Sequence, residues 1–227
     1  MTAGLKGVAA AAITPRRGGD CTLDLGASLE VVDYLAASGV DGICLLGSTG
    51  EFLHFGIEER ARLVNFAVKR SRLPVIANVS HSTLDGALEL ARQAAAGGAA
   101  ALLLMPPYFF RYGQADVEAF FLGFAEELDE PVPIVLYNIP LFSNPLELRT
   151  AARLLATGRF AGIKESSGDW GCFSEFLRLR ERTPFQLLVG DDVLFTRGRS
   201  AGAGGAVSGA ACAVPELMAA LDRAILS

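Results

Sequence analysis

The sequence predicts an α/β protein, a single (β/α)8 TIM barrel spanning residues 1–227. Three observations carry this. Short apolar runs alternate with longer amphipathic stretches from end to end. Eight β-then-α units follow one another at roughly 25–35 residues, the spacing that a parallel crossover needs. The runs are apolar throughout instead of alternating, as parallel strands covered on both faces require. Eight units in 227 residues fit a closed barrel better than an open, doubly wound sheet. No G-x-G-x-x-G separates the first run from the first helix, which weakens a dinucleotide-binding alternative further.

Taken in order, the predicted strands are Val8–Thr14, Gly42–Leu46, Val75–Val79, Ala100–Met105, Ile134–Tyr137, Phe160–Lys164, Gln186–Val189 and Gly205–Ser208. The predicted helices are Leu25–Ala37, Ile57–Arg70, Thr83–Ala96, Asp116–Leu128, Leu146–Thr157 and Phe173–Arg182. A short seventh helix is expected over Val193–Ala201 and an eighth over Pro215–Leu226. No linker or low-complexity tract divides the chain.

Composition narrows the function classes. Hydrophobic residues make up 51% and charged residues 20%, enough apolar surface for a sizeable core and too much for disorder. The net charge of −5 offers no electrostatic reason to bind nucleic acid. No apolar run reaches the length of a membrane span, so no membrane association is expected. Cys21, Cys44, Cys172 and Cys212 are scattered without a CxxC pair, and read as free thiols in a reducing cytoplasm. The two histidines, His54 and His81, exclude a multi-histidine metal site; no metal or cofactor is expected.

In a barrel, reactive groups belong at the C-terminal ends of strands or in the loops that follow. Four polar clusters fall there: Gly47–Glu51, Tyr137–Pro140, Lys164–Asp169 and Gly190–Asp192. Lys164 closes an apolar run. A lysine pointing into a barrel mouth is partly desolvated, which disfavours the ammonium and leaves an amine able to attack a ketone. The competing reading pairs it with Glu165 or Asp169. Tyr137, on the neighbouring strand, brings a phenol that can shuttle a proton, or else is a half-buried packing aromatic. Ser48 and Thr49 sit in a Gly-bounded loop whose amides can bind a carboxylate and whose hydroxyls can pass a proton to Tyr137. The same loop also resembles an ordinary turn and helix cap. His54 and His81 read as ordinary loop histidines or as an acid or base near the mouth, and Trp170, Phe173 and Phe176 as helix packing, with Trp170 otherwise a lid over the pocket. Asp191 and Asp192 either bind substrate hydroxyls or cap the short helix.

Together, Gly47-Ser48-Thr49-Gly50-Glu51, Tyr137-Asn138-Ile139-Pro140 and Gly162-Ile163-Lys164-Glu165-Ser166-Ser167-Gly168-Asp169 resemble the dihydrodipicolinate synthase/N-acetylneuraminate lyase family. Gly190-Asp191-Asp192 and Gly205-Ala206-Val207-Ser208 extend the resemblance in the same order. It implies a class I aldolase that holds pyruvate as a Schiff base on Lys164 and condenses it with an aldehyde, or the reverse. Tyr137 is then the proton-relay phenol, and Thr49 counts with Lys164 and Tyr137 among the catalytic residues. Ser48, Thr49, Val207 and Phe142 are the implied substrate-binding positions; Glu51 stabilises its own loop. A homo-oligomer, dimer or tetramer, is the implied assembly.

The sequence departs from that pattern in three places. Phe109 stands where the synthase branch has the second of two adjacent tyrosines, so the relay into a neighbouring subunit is broken. Phe142 stands where that branch has an arginine for the carboxylate of aspartate semialdehyde, and a phenyl ring offers no fork of donors. The family's C-terminal helical extension is expected to be largely absent. Two other readings keep part of this picture: a keto-deoxy sugar acid dehydratase using the same imine, and a non-catalytic pyruvate-binding sensor or scaffold.

Overall fold

A computed structural model describes residues 5–227. Eight parallel strands close in chain order into a barrel, each strand hydrogen-bonded to its sequence neighbours and the eighth to the first. They are β1 (Gly7–Ala11), β2 (Gly42–Leu45), β3 (Val75–Asn78), β4 (Ala101–Leu104), β5 (Ile134–Asn138), β6 (Gly162–Glu165), β7 (Gln186–Val189) and β8 (Gly205–Ser208). Helices α1 (Leu25–Ala37), α2 (Ile57–Arg70), α3 (Leu84–Gly97), α4 (Gln114–Glu127), α5 (Leu148–Ala156) and α6 (Trp170–Arg180) surround them. The ring is completed by α7 (Phe195–Ser200), α8 (Ala210–Ala213) and α9 (Pro215–Leu226).

Local chemistry sets the helix boundaries. Asp24 accepts from Ala27 N and Thr83 from Gly86 N, so α1 and α3 begin on side-chain caps. Asp116 reaches back 3.3 Å to Gly113 N, which starts α4 two residues before the expected Asp116. Asp169 accepts from Gly171 N at 2.7 Å and starts α6 at Trp170 instead of Phe173. The predicted first strand runs too far: β1 ends at Ala11, before Pro15 bonds outward to Asp24 in the loop over the mouth. The predicted sixth strand begins too early, since Phe160 packs edge-on against Phe121 instead of entering the ladder. The expected Val193–Ala201 helix is a 3-10 turn over Asp192–Leu194 running into α7, and α8, with no apolar period to betray it, was not expected.

Strand register decides which side chains meet inside. Tyr137 pairs with Lys164, Lys164 with Leu188, and Leu188 with Gly205. Because side chains alternate along a strand, Tyr137, Lys164 and Val207 share the inward face, while Asn138 and Glu165 point to the helix layer. At the opposite end of the barrel a buried Arg199–Asp222 ion pair ties α7 to α9. Among the described residues no helix is long and apolar enough to cross a membrane.

Candidate active site

Lys164 is 3% exposed, and its Nζ lies 4.1 Å from the centroid of the Tyr137 ring. Neither acid next to it in sequence is its partner. Glu165 faces outward, where its carboxylate accepts from Asn138 Nδ2 and from Ser167 N, each at 2.6 Å. Asp169 caps α6. Among the described residues the salt bridges do not include Lys164. The buried amine is therefore held for something other than a structural ion pair.

Room for that amine comes from Gly190. A Cβ there would lie 1.9 Å from Ser166 Oγ and 2.9 Å from both Lys164 Cγ and Cε, so any side chain would displace the lysine. Ser166 Oγ is itself buried without a hydrogen-bond partner. Such a hydroxyl is costly to leave unpaired and is free for a bound molecule. Both residues fall in the polar clusters the sequence places after β6 and β7, but nothing in the sequence assigned either a role of its own.

The fully buried Tyr137 directs its hydroxyl to Ser48 Oγ at 3.1 Å. Of the two hydroxyls in the loop after β2, Ser48 is the one that meets the phenol. Thr49 Oγ1 turns instead toward Gly209, where a Cβ would sit 3.3 Å from it. Thr49 is thus at the loop, close to β8, but its expected contact with Tyr137 belongs to Ser48.

The loop owes its path to Leu46, which is buried with φ 59, a left-handed conformation costly for a leucine. Gly50 then closes down on it: a Cβ at Gly50 would sit 3.0 Å from Leu46 N, Leu46 Cα and Ala12 O. Glu51 pairs with Arg16, the loop-stabilising role expected of it.

A cavity of about 160 Å³ opens beside Ser48, between Phe52, Met105, Tyr108 and Phe142. Phe142 lines it from the turn after β5, half exposed. Phe109, 88% exposed with φ 83, projects from the rim with its ring 4.9 Å from that of Phe110. Asn144 fixes this rim loop, donating to Pro107 O at 2.6 Å and to Phe110 O at 2.8 Å.

His54 lines the cavity beside Ser48 with Glu51, and the other candidates fall to structural roles. Asp191 caps the 3-10 turn through Val193 N, and Asp192 accepts from Ala210 N at 2.8 Å. His81 Nδ1 accepts from Thr83 N at 3.2 Å, and burial, then Arg60, holds its pKa below the ordinary histidine value. Trp170 stacks on Phe173 at 5.8 Å with the Arg197 guanidinium 3.8 Å from its ring, and is packed in place, not a lid. Cys172 lies beside Glu165, and burial with that carboxylate pushes its thiol up to about 12, so it is no nucleophile at neutral pH. Among the described residues no group of three or more His, Cys, Asp or Glu side chains is gathered to hold a metal ion.

Comparison with known proteins bears on this arrangement. The model of the dihydrodipicolinate synthetase family matches residues 4–226, almost the whole chain. The chain belongs to the dihydrodipicolinate synthetase family. The 4-hydroxy-tetrahydrodipicolinate synthase of Methanothrix thermoacetophila is 35% identical over 223 residues, covering 97% of this chain and 74% of that relative. The dihydrodipicolinate synthase of Aquifex aeolicus superposes with a TM-score of 0.88 at 30% identity, over 97% of this chain and 75% of the other. A sialic acid aldolase from Ruminococcus gnavus superposes equally well, with a TM-score of 0.89 at 25% identity, over 98% and 74%. As a member of this family the chain is a carbon–carbon lyase of the class I aldolase kind.

Proposed function

We infer that this family member forms a Schiff base between Lys164 and pyruvate. It either condenses that pyruvate with an aldehyde or cleaves a 2-keto (3-deoxy) acid to pyruvate and an aldehyde. The observation that supports this best is the buried, unpaired Lys164 amine against Tyr137, whose hydroxyl meets Ser48 at 3.1 Å. The neutral amine attacks C2 of pyruvate, and the carbonyl oxygen takes up a proton to give a carbinolamine. Tyr137, relayed by Ser48, delivers a second proton to that hydroxyl as it leaves as water. Loss of a methyl proton turns the imine into an enamine, whose carbon attacks the aldehyde; water then hydrolyses the product imine and frees Lys164. The amides of Ser48 and Thr49 hold the carboxylate, and the Val207 backbone lines the pyruvate pocket. No cofactor enters these steps. The assembly is a homo-oligomer, dimer or tetramer, and the compartment is the cytoplasm, where thiols such as Cys21 stay reduced.

The acceptor is set by Phe142. It lines the cavity beside Ser48 with Phe52, Met105 and Tyr108; Glu51 and His54 also line it, but no lysine or arginine does. Aspartate semialdehyde, which carries a carboxylate, is therefore a poor acceptor, and a less polar or a sugar-acid aldehyde is preferred. A charge-assisted hydrogen bond contributes about 1.5–3 kcal/mol, so its absence lowers kcat/KM for aspartate semialdehyde by roughly 10–150-fold. Phe142→Arg should recover part of that loss with pyruvate saturating. Wild-type turnover of aspartate semialdehyde as efficient as that of its best other aldehyde would refute this specificity.

A further inference from the structure

Behind the Ser48–Thr49 loop lies a buried polar network that none of the steps above uses. Asn78 ends β3 on the inward face of the barrel and is 1% exposed. Its side-chain Nδ2 donates to Leu46 O at 2.6 Å, the carbonyl of the residue held at φ 59 just before the loop. The other end of the same amide is also occupied, since Asn78 Oδ1 accepts from Ser80 Oγ at 2.6 Å. That bond fixes the orientation of the amide and keeps its N–H toward Leu46. Ser80 Oγ in turn accepts from Met105 N at 2.9 Å, which ties the ends of β3 and β4 together. From α2, Arg60 Nη2 donates to Asn78 O at 3.0 Å and to Ser80 O at 3.1 Å, so the backbone carrying the amide is clamped as well.

We propose that Asn78 is a positioning residue for the reaction, its amide holding Leu46 in the left-handed conformation that aims the Ser48–Thr49 loop at the substrate carboxylate. A leucine has no intrinsic reason to stay at positive φ; something around it must over-determine that conformation. The Leu46 carbonyl points into the barrel interior, where water does not compete, and Asn78 is the donor that satisfies it. Without the donor, the buried carbonyl is unpaired and the peptide is driven to turn, taking Gly47 and Ser48 with it. Asn78 acts through Leu46: one N–H of its amide goes to that carbonyl and its oxygen is held by Ser80. Its effect is on how tightly the carboxylate is held and, because Ser48 moves with the loop, on the relay to Tyr137 as well.

This inference rests on the reading of Ser48 and Thr49 as the pyruvate carboxylate site, and the test separates the two. Borohydride trapping of pyruvate is measured against pyruvate concentration for the wild type, Asn78→Ala and Ser80→Ala, with the melting temperature of each as a control for folding. Asn78→Ala should raise the half-saturating pyruvate concentration about 10-fold, the size of one unmade buried hydrogen bond, and lower the rate at saturation too, since Ser48 relays for Tyr137. Ser80→Ala, which leaves the amide free to turn, should shift half-saturation in the same direction by a smaller factor. If Asn78→Ala does not fold, Ser80→Ala decides. An unchanged half-saturation in the folded variants, or a loss confined to the saturated rate, overturns the role of Asn78. Absence of trapping in the wild type instead overturns the Schiff-base reading on which it stands.

Discussion

Lys164→Ala should reduce aldol turnover to the rate seen without protein, and Lys164→Arg should do no better. The alanine variant has no nucleophile. The arginine variant keeps a long cationic side chain, but a guanidinium stays protonated and cannot add to a ketone. The chain has two other lysines, Lys6 and Lys69, both exposed: Lys6 just before β1, at the end of the barrel away from the mouth, and Lys69 in the last turn of α2. Neither can take over. Pyruvate release from a 2-keto acid substrate, followed for both variants beside the wild type, checks this. A sizeable residual rate in either would mean that the carbonyl is activated without an imine.

Tyr137→Phe should slow imine formation by roughly 10²–10⁴-fold, the usual contribution of a positioned proton-transfer group. The ring that packs against the Lys164 amine is kept, so the buried lysine should stay where it is. What is lost is the hydroxyl that meets Ser48 at 3.1 Å. Pyruvate should still bind through the Ser48–Thr49 loop, and half-saturation should move far less than the rate. Single-turnover trapping separates the two quantities. An unchanged rate would assign the proton to water or to the unpartnered Ser166 hydroxyl, which also lies beside the lysine.

Much of this was legible in the sequence because barrels follow simple rules. Eight fully apolar runs at crossover spacing leave few topologies open. Polar residues closing such runs, as Lys164 and Tyr137 do, announce the mouth. Boundaries were less legible where a cap outranks the apolar pattern, as Asp169 does for α6 and Asp116 for α4. Within the site, nothing in Ser48-Thr49 says which hydroxyl meets Tyr137. The answer depends on the left-handed turn at Leu46, a conformation that no rule assigns to leucine. Asn78 ends β3, but it lay inside the predicted strand Val75–Val79 and was given no role from the sequence. Its partners Ser80 and Arg60 lie apart in sequence, and only the fold brings them to it. Gly190 is a further case: what it does is leave space for Lys164, and an empty volume has no signature in a sequence.

An imine between Lys164 and pyruvate can be fixed by reduction and located. The most direct measurement is the mass of peptides from the wild-type protein after incubation with pyruvate and borohydride. A single reduced pyruvate adduct is expected on the peptide containing Lys164, absent when pyruvate is omitted and absent in Lys164→Ala. An adduct on Lys6 or Lys69, or no adduct with the protein folded and pyruvate in excess, would contradict it.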